Sequence, residues 1–191
     1  GVGQLIKLAL EQHGVERILV GCGDSGTNDA GIGMAQALGC KFLDAQGNEI
    51  GLGAAHIPDL VRIDASGLHP KLKEVQIDAA LNAKNILCGV KGVARVYGHQ
   101  KGATPTQVEE MAAALDHFAA IVQRDIGADV ALMPGGGASG GLGAGLFAFL
   151  GTNLYPRFDI ILQYLGLDSA LEHADLVITA EGAIDFQTCQ G

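Results

Sequence analysis

Ile18-Leu19-Val20-Gly21-Cys22-Gly23-Asp24-Ser25-Gly26-Thr27-Asn28-Asp29-Ala30-Gly31-Ile32-Gly33 is the stretch on which the fold turns. An apolar β-type run breaks into glycines, hydroxyls and acids, and a helix-like segment follows as far as Leu38. A strand-to-helix junction of this kind turns backbone N–H groups toward an anion. Asp24 and Asp29 add two carboxylates that a plain phosphate cradle lacks, and either can take a metal or a proton.

The same alternation continues outward. Residues 3–12 read as a helix, Ile18–Val20 and Lys41–Leu43 as strands, and 45–48 as a turn. Leu60–Ile63 and Val75–Ala80 read as further strands, and 89–102 as a loop carrying Lys91, Arg95 and Lys101. Thr104-Pro105-Thr106-Gln107 is a capping box with proline at the first helical position. Behind it, Val108, Met111, Ala112, Leu115, Phe118, Ala119 and Val122 recur at three and four, up to a stop at Gly127. A second glycine-rich run, Pro134 to Gly145, opens an apolar helix through Leu150. Phe158–Leu165 reads as an amphipathic helix, Leu176–Thr179 as a buried strand, and 180–188 as a loop. Strands alternating with helices place the chain in the α/β class.

Composition limits the function. The 191 residues hold 48% hydrophobic but only 5% aromatic residues, so the core is aliphatic. The 29 glycines are clustered and prolines number 5, which is not a disordered composition. A net charge of −9 argues against nucleic acid and anionic membranes as partners, but not against a small anion held by local N–H groups. Neither a transmembrane run nor a signal peptide is visible. The four cysteines are far apart, without metal-type spacing, and read as free thiols of a cytoplasmic protein. Residue 1 is glycine, and both ends look cut from something longer.

Gly21–Gly26 and Gly135–Gly140 both fit G-x-G-x-x-G, and Asp44 sits near the position of a ribose-binding acid. Dinucleotide binding, tight packing turns and a phosphate site with a metal all remain open on these spacings, although Asp24 would oppose a pyrophosphate. A P-loop is excluded, since no G-x-x-x-x-G-K-[ST] occurs. Lys101, flanked by Gly98 and Gly102, can approach a ligand closely. Glu181 and Asp185 follow a strand end, where α/β sites form.

Taken together, Gly23–Gly31, Ala37-Leu38-Gly39, Phe42-Leu43-Asp44, Gly98-His99-Gln100-Lys101-Gly102, Pro134–Gly143 and Val177–Asp185 resemble the bacterial glycerate kinases of the two-domain type, in order and spacing along the whole chain. The resemblance implies ATP-dependent, Mg²⁺-assisted phosphorylation of D-glycerate to a phosphoglycerate. It also implies an α/β domain (residues 1–156) inserted into a Rossmann-like domain, with 157–191 the return segment. The chain then reads as an internal fragment, inactive alone, with apolar surface exposed; a homodimer is left open. Asp29, Lys101, Glu181 and Asp185 are the expected catalytic residues, with Glu181 and Asp185 as metal ligands. Ser25, Thr27, Asn28, Gly136, Gly137, Ser139 and Gly140 are the expected binders of substrate or phosphate. Ala183 stands where the family usually has Arg, His99 replaces a Pro, Asn82 lies where Asp is common, and Phe186 is unusual in a polar loop. A non-catalytic anion-binding relative and a nicotinamide-dependent oxidoreductase are the alternative readings.

Overall fold

The computed structural model describes residues 1–23, 25–81 and 84–178. Its centre is a three-stranded parallel sheet in the order β1-β4-β5. Strand β1 (Arg17–Cys22) pairs with β4 (Gln76–Leu81) from Arg17↔Gln76 to Cys22↔Leu81. On the other side β4 pairs with β5 (Asn153–Pro156), from Asp78↔Asn153 to Leu81↔Pro156. Ile77, Ala79, Ala80 and Leu81 of the middle strand are all buried, as expected of a parallel strand covered on both faces. β4 also buries the carboxylate of Asp78. It accepts hydrogen bonds from Arg17 Nε at 2.9 Å and Nη2 at 2.6 Å, from Gln76 Nε2 at 3.0 Å and from Asn153 Nδ2 at 3.4 Å. One acid thus ties all three strands together.

Helix α1 (Val2–Gln12) turns Gly3, Ile6 and Leu10 inward and leaves Leu5 and Leu8 exposed. It meets α2 (Ile32–Ala37) at Gly3, where a Cβ would strike the Met34 carbonyl. β2 (Lys41–Leu43) and β3 (Arg62–Asp64) form a separate antiparallel pair. The strand expected at Leu60–Ile63 therefore begins two residues later, because Leu60 closes the 3₁₀ turn Ala54–Asp59. Within the expected loop 89–102 lie a short helix, α3 (Val93–Tyr97), and a 3₁₀ turn, His99–Lys101.

Helix α4 (Pro105–Asp125) starts as read from the sequence. The Gln107 N–H donates to Thr104 Oγ1 at 3.3 Å, and the Thr104 N–H donates to Gln107 Oε1 at 2.9 Å. Its apolar stripe packs on α3, β3 and the 54–59 turn. Helix α5 (Ala138–Leu150) lies on the sheet and joins the core through Phe149. The Phe149 ring meets Phe42 edge-on at 5.3 Å and Phe118 at 6.4 Å. β5 was not expected: it is four residues long and ends in a proline, which an edge strand tolerates. Helices α6 (Arg157–Leu165) and α7 (Leu167–Leu171) follow, with Ile160 buried against the sheet and Phe158 and Leu165 exposed.

The strand expected at Leu176–Thr179 is not found over 176–178. Leu176, Val177 and Ile178 are exposed and pair with no described strand, and an extended segment without a hydrogen-bonded neighbour is no strand. Thr179 lies outside the described residues. Among the described residues no helix is long and apolar enough to cross a membrane.

Candidate functional site

Lys101 is the hub. Its 3₁₀ turn ends in Gly102, whose φ of +90° suits glycine, and the turn sets the side chain against the loop that leaves β1. Lys101 Nζ donates to Ser25 Oγ at 3.2 Å, to the Thr27 carbonyl at 2.7 Å and to Asn28 Oδ1 at 3.3 Å. Three acceptors match the three protons of an ammonium. None is a carboxylate, and Lys101 has no ion pair among the described residues. Burial lowers its pKa below that of an exposed lysine. No described carboxylate offsets its charge, and an anion nearby would be drawn to it.

Two recesses share this lysine. The larger, about 740 Å³, is lined by Gly26–Asp29, by Gly53, Ala54, Ala55 and Pro58, and by Gln107, Glu110, Met111 and Ala114 of α4. The smaller, about 220 Å³, is lined by Cys22, Gly23, Ser25, Tyr97, Gln100 and the backbone of Gly137–Gly140. At that second wall α5 departs from helical geometry. Ser139, Gly140 and Gly141 have φ of +51°, +69° and +91°. A left-handed residue after a right-handed one makes a concave row of N–H groups. Neither the Ser139 nor the Gly140 N–H donates to a carbonyl among the described residues. A positive φ at a serine is costly and persists only where its surroundings impose it.

The two glycine-rich runs impose it on each other. The Ala30 N–H donates to the Gly140 carbonyl at 3.1 Å. A Cβ on Gly140 would strike the Thr27 carbonyl, and one on Gly141 would lie 2.7 Å from Ala30 Cα. Ala30 is itself left-handed, with φ +53°. Ser25, Thr27, Asn28, Asp29, Lys101, Ser139 and Gly140 thus come together as the sequence suggested. Gly136 and Gly137 differ in kind: their N–H groups are used on the Met133 and Asn85 carbonyls, so they serve close packing rather than donation. Asp29 caps the next turn, accepting from the Gly31 and Gly33 N–H groups at 3.1 Å each. Asp24, Glu181, Ala183 and Asp185 lie outside the described residues.

Other candidates are placed elsewhere. Arg95 is spent on Glu109, at 2.6 Å, and on the Gly89 carbonyl at 2.8 Å, tying α3 to α4. His56 and His99 are exposed, and no three His, Cys, Asp or Glu side chains converge among the described residues. Asp44 holds the turn after β2 through the Gln46 and Asn48 N–H groups, in a different sheet from β1. A ribose-binding acid would end a strand beside β1, β1 ends at Cys22 well before α2 begins at Ile32, and no described strand leads directly into Gly135–Gly140, so the Asp44 and glycine spacings do not form a dinucleotide site. Cys22, Cys40 and Cys88 are buried free thiols, pushed by burial up to about 11, about 12 and about 12. Tyr97, Gln100 and Met111 line the recesses but were not among the expected site residues. Gln100 carried a signal within the Gly98–Gly102 motif and Met111 within the α4 stripe, and the Met111 Sδ lies 3.8 Å from Asn28 Nδ2.

Comparison with known proteins shows the family. Residues 1–191 match the model of the glycerate kinase family. The chain is 47% identical over its whole length to a glycerate kinase of Halalkalibacterium halodurans and 44% identical to a glycerate 2-kinase of Escherichia coli, covering 50% of each. A crystal structure assigned to glycerate kinase 2 of Salmonella typhimurium LT2 superposes with a TM-score of 0.91 at 47% identity, over 98% of this chain and 50% of that one. The chain thus spans about half the length of the curated relatives it matches. With its whole length matched and its α/β architecture shared, the chain belongs to the glycerate kinase family.

Proposed function

We propose that the protein transfers the terminal phosphoryl group of ATP to D-glycerate, and that this chain supplies an anion-binding wall of the site. The observation that carries the reading is the half-buried Lys101 ammonium, held by Ser25, Thr27 and Asn28 with no carboxylate on it among the described residues, and shared by two recesses. Catalysis of phosphoryl transfer is chiefly positioning and charge neutralisation.

The described residues fit a phosphate. The smaller recess offers the Ser139 and Gly140 N–H groups and the hydroxyls of Ser25 and Ser139, with Lys101 at its edge. ATP, when bound, supplies the phosphoryl group and the electrophilic phosphorus. Lys101 offsets negative charge there and holds Ser25, Thr27 and Asn28 in one arrangement. Those three present hydroxyl and amide groups suited to a small hydroxy acid. A magnesium ion fits the described residues poorly, because Asp29 is their only carboxylate among the expected ligands and both its oxygens accept backbone N–H groups. Glu181 and Asp185 are the proposed metal ligands and proton acceptors. A division at residues 156 and 157, a cytoplasmic location and a small-molecule partner complete the reading.

The test is coupled ADP release by the full-length protein with ATP, Mg²⁺ and D-glycerate. Wild type is expected to turn over, and Lys101→Met to lose about 100-fold in kcat/KM, as when one preorganised charge-stabilising donor is removed. Wild-type activity should also fall at high pH, on a limb below the pKa of a free lysine, as Lys101 loses its proton. Absence of glycerate-dependent ADP release would overturn the proposal.

A further inference from the structure

Asp29 sits at the seam between the two recess walls. One residue satisfies three N–H groups: its carbonyl accepts from Ile32 at 3.0 Å, Oδ1 from Gly31 and Oδ2 from Gly33. Those bonds fix the chain on the far side of Ala30, the left-handed residue whose N–H holds the Gly140 carbonyl. Gly140 in turn follows Ser139, and the left-handed pair lines the smaller recess. Gly141 and Gly145 have no room for a Cβ because the backbone of Ala30 fills it. The route from the Asp29 carboxylate to the Ser139–Gly140 N–H groups is therefore continuous, bond by bond.

We infer that Asp29 is a positioning residue, which holds the Ala30 turn and through it the Ser139–Gly140 anion wall, and is neither the base nor a metal ligand of the reaction. Both its oxygens accept backbone N–H groups, of Gly31 and of Gly33 in the first turn of α2, which holds the carboxylate against that turn. The activity arm of the inference rests on the kinase reading above; its structural arm does not.

The two roles separate by substitution. Asn keeps one of the two acceptors that hold the Gly31 and Gly33 N–H groups and turns a donor toward the other, whereas Ala keeps neither. Loss of a general base costs about 10²–10⁴-fold for Asn and Ala alike. In the full-length protein, Asp29→Asn is expected to lose less than about tenfold in kcat while KM for ATP rises, and Asp29→Ala to lose more than about tenfold. Amide hydrogen exchange at Gly31, Gly33 and Ala30 should speed up in Asp29→Ala, and less so in Asp29→Asn, which keeps one of the two side-chain acceptors. Equal collapse of kcat in both variants, with exchange unchanged, would overturn the inference and make Asp29 the base. Unchanged kinetics and exchange in Asp29→Ala would also overturn it. If Asp29→Ala does not fold, Asp29→Asn alone decides through its kcat. If wild type proves inactive on glycerate, the kinase reading falls. The inference then stands or falls on the exchange pattern and on weaker binding of inorganic pyrophosphate by Asp29→Ala than by Asp29→Asn.

Discussion

A single side chain added in the wrong place should undo the site. Gly140 has φ +69°, and a Cβ there would strike the Thr27 carbonyl, the group that also accepts from Lys101. Gly140→Ala should therefore cost about 3 kcal/mol, from strain and overpacking together, measured by urea denaturation. By contrast Gly47→Ala, with φ +85° but open space around it, should cost about 1 kcal/mol. At this scale much was legible: the Thr27–Asp29 triplet, Lys101 and Ser139 carry side chains whose chemistry shows in one letter. What was hidden is the division of labour among glycines. Gly136, Gly137 and Gly140 look alike in sequence, yet only Gly140 keeps its N–H free of a described carbonyl partner. That difference arises from contacts with residues 27, 85 and 133, which no local pattern encodes.

Elements were legible where their own ends mark them. α4 has a capping box, a proline at its first position, an apolar stripe and a left-handed Gly127, all in its own 24 residues from Thr104 to Gly127. Thr104→Ala should lower stability by about 1 kcal/mol without altering the rest of α4, measured by thermal unfolding and far-UV circular dichroism. α3 lay hidden among glycines because five residues are too few for a periodic signal. β5 was hidden because its four residues owe their conformation to β4 rather than to propensity. Leu176–Ile178 shows the converse: strong β-propensity and no described strand beside it.

Across the whole molecule, acid should act through the hydrogen-bonded carboxylates of Asp78 and Asp125. Burial alone would raise the Asp78 pKa, but hydrogen bonds from Arg17, Gln76 and Asn153 bring it below the ordinary value. Asp125 is likewise lowered, first by Arg124 and also by the Ile63 N–H. Groups depressed on folding stabilise the protein above their unfolded pKa, about 4, and that stability is lost as pH falls through the folded values. Urea midpoints should thus hold steady from pH 7 to about 5 and fall below about 4. Asp78→Asn should flatten that fall. Opposite partners in this sheet come from distant stretches of chain, with Arg17 facing Gln76 and Asp78 facing Asn153, which is why the sequence suggested a parallel α/β fold but not its strand order.

The bond from Ala30 to Gly140 also has a consequence in time. A ribosome adding about 5–20 residues each second makes the first partner roughly 5–20 s before the second. Over that interval the Thr27–Ala30 loop has its own Asp29 bonds but not the surface that fills the space beside it. The anion wall is therefore a late product of synthesis, assembled only when α5 arrives, and the nascent chain passes through a stage in which its first glycine-rich loop waits for its second.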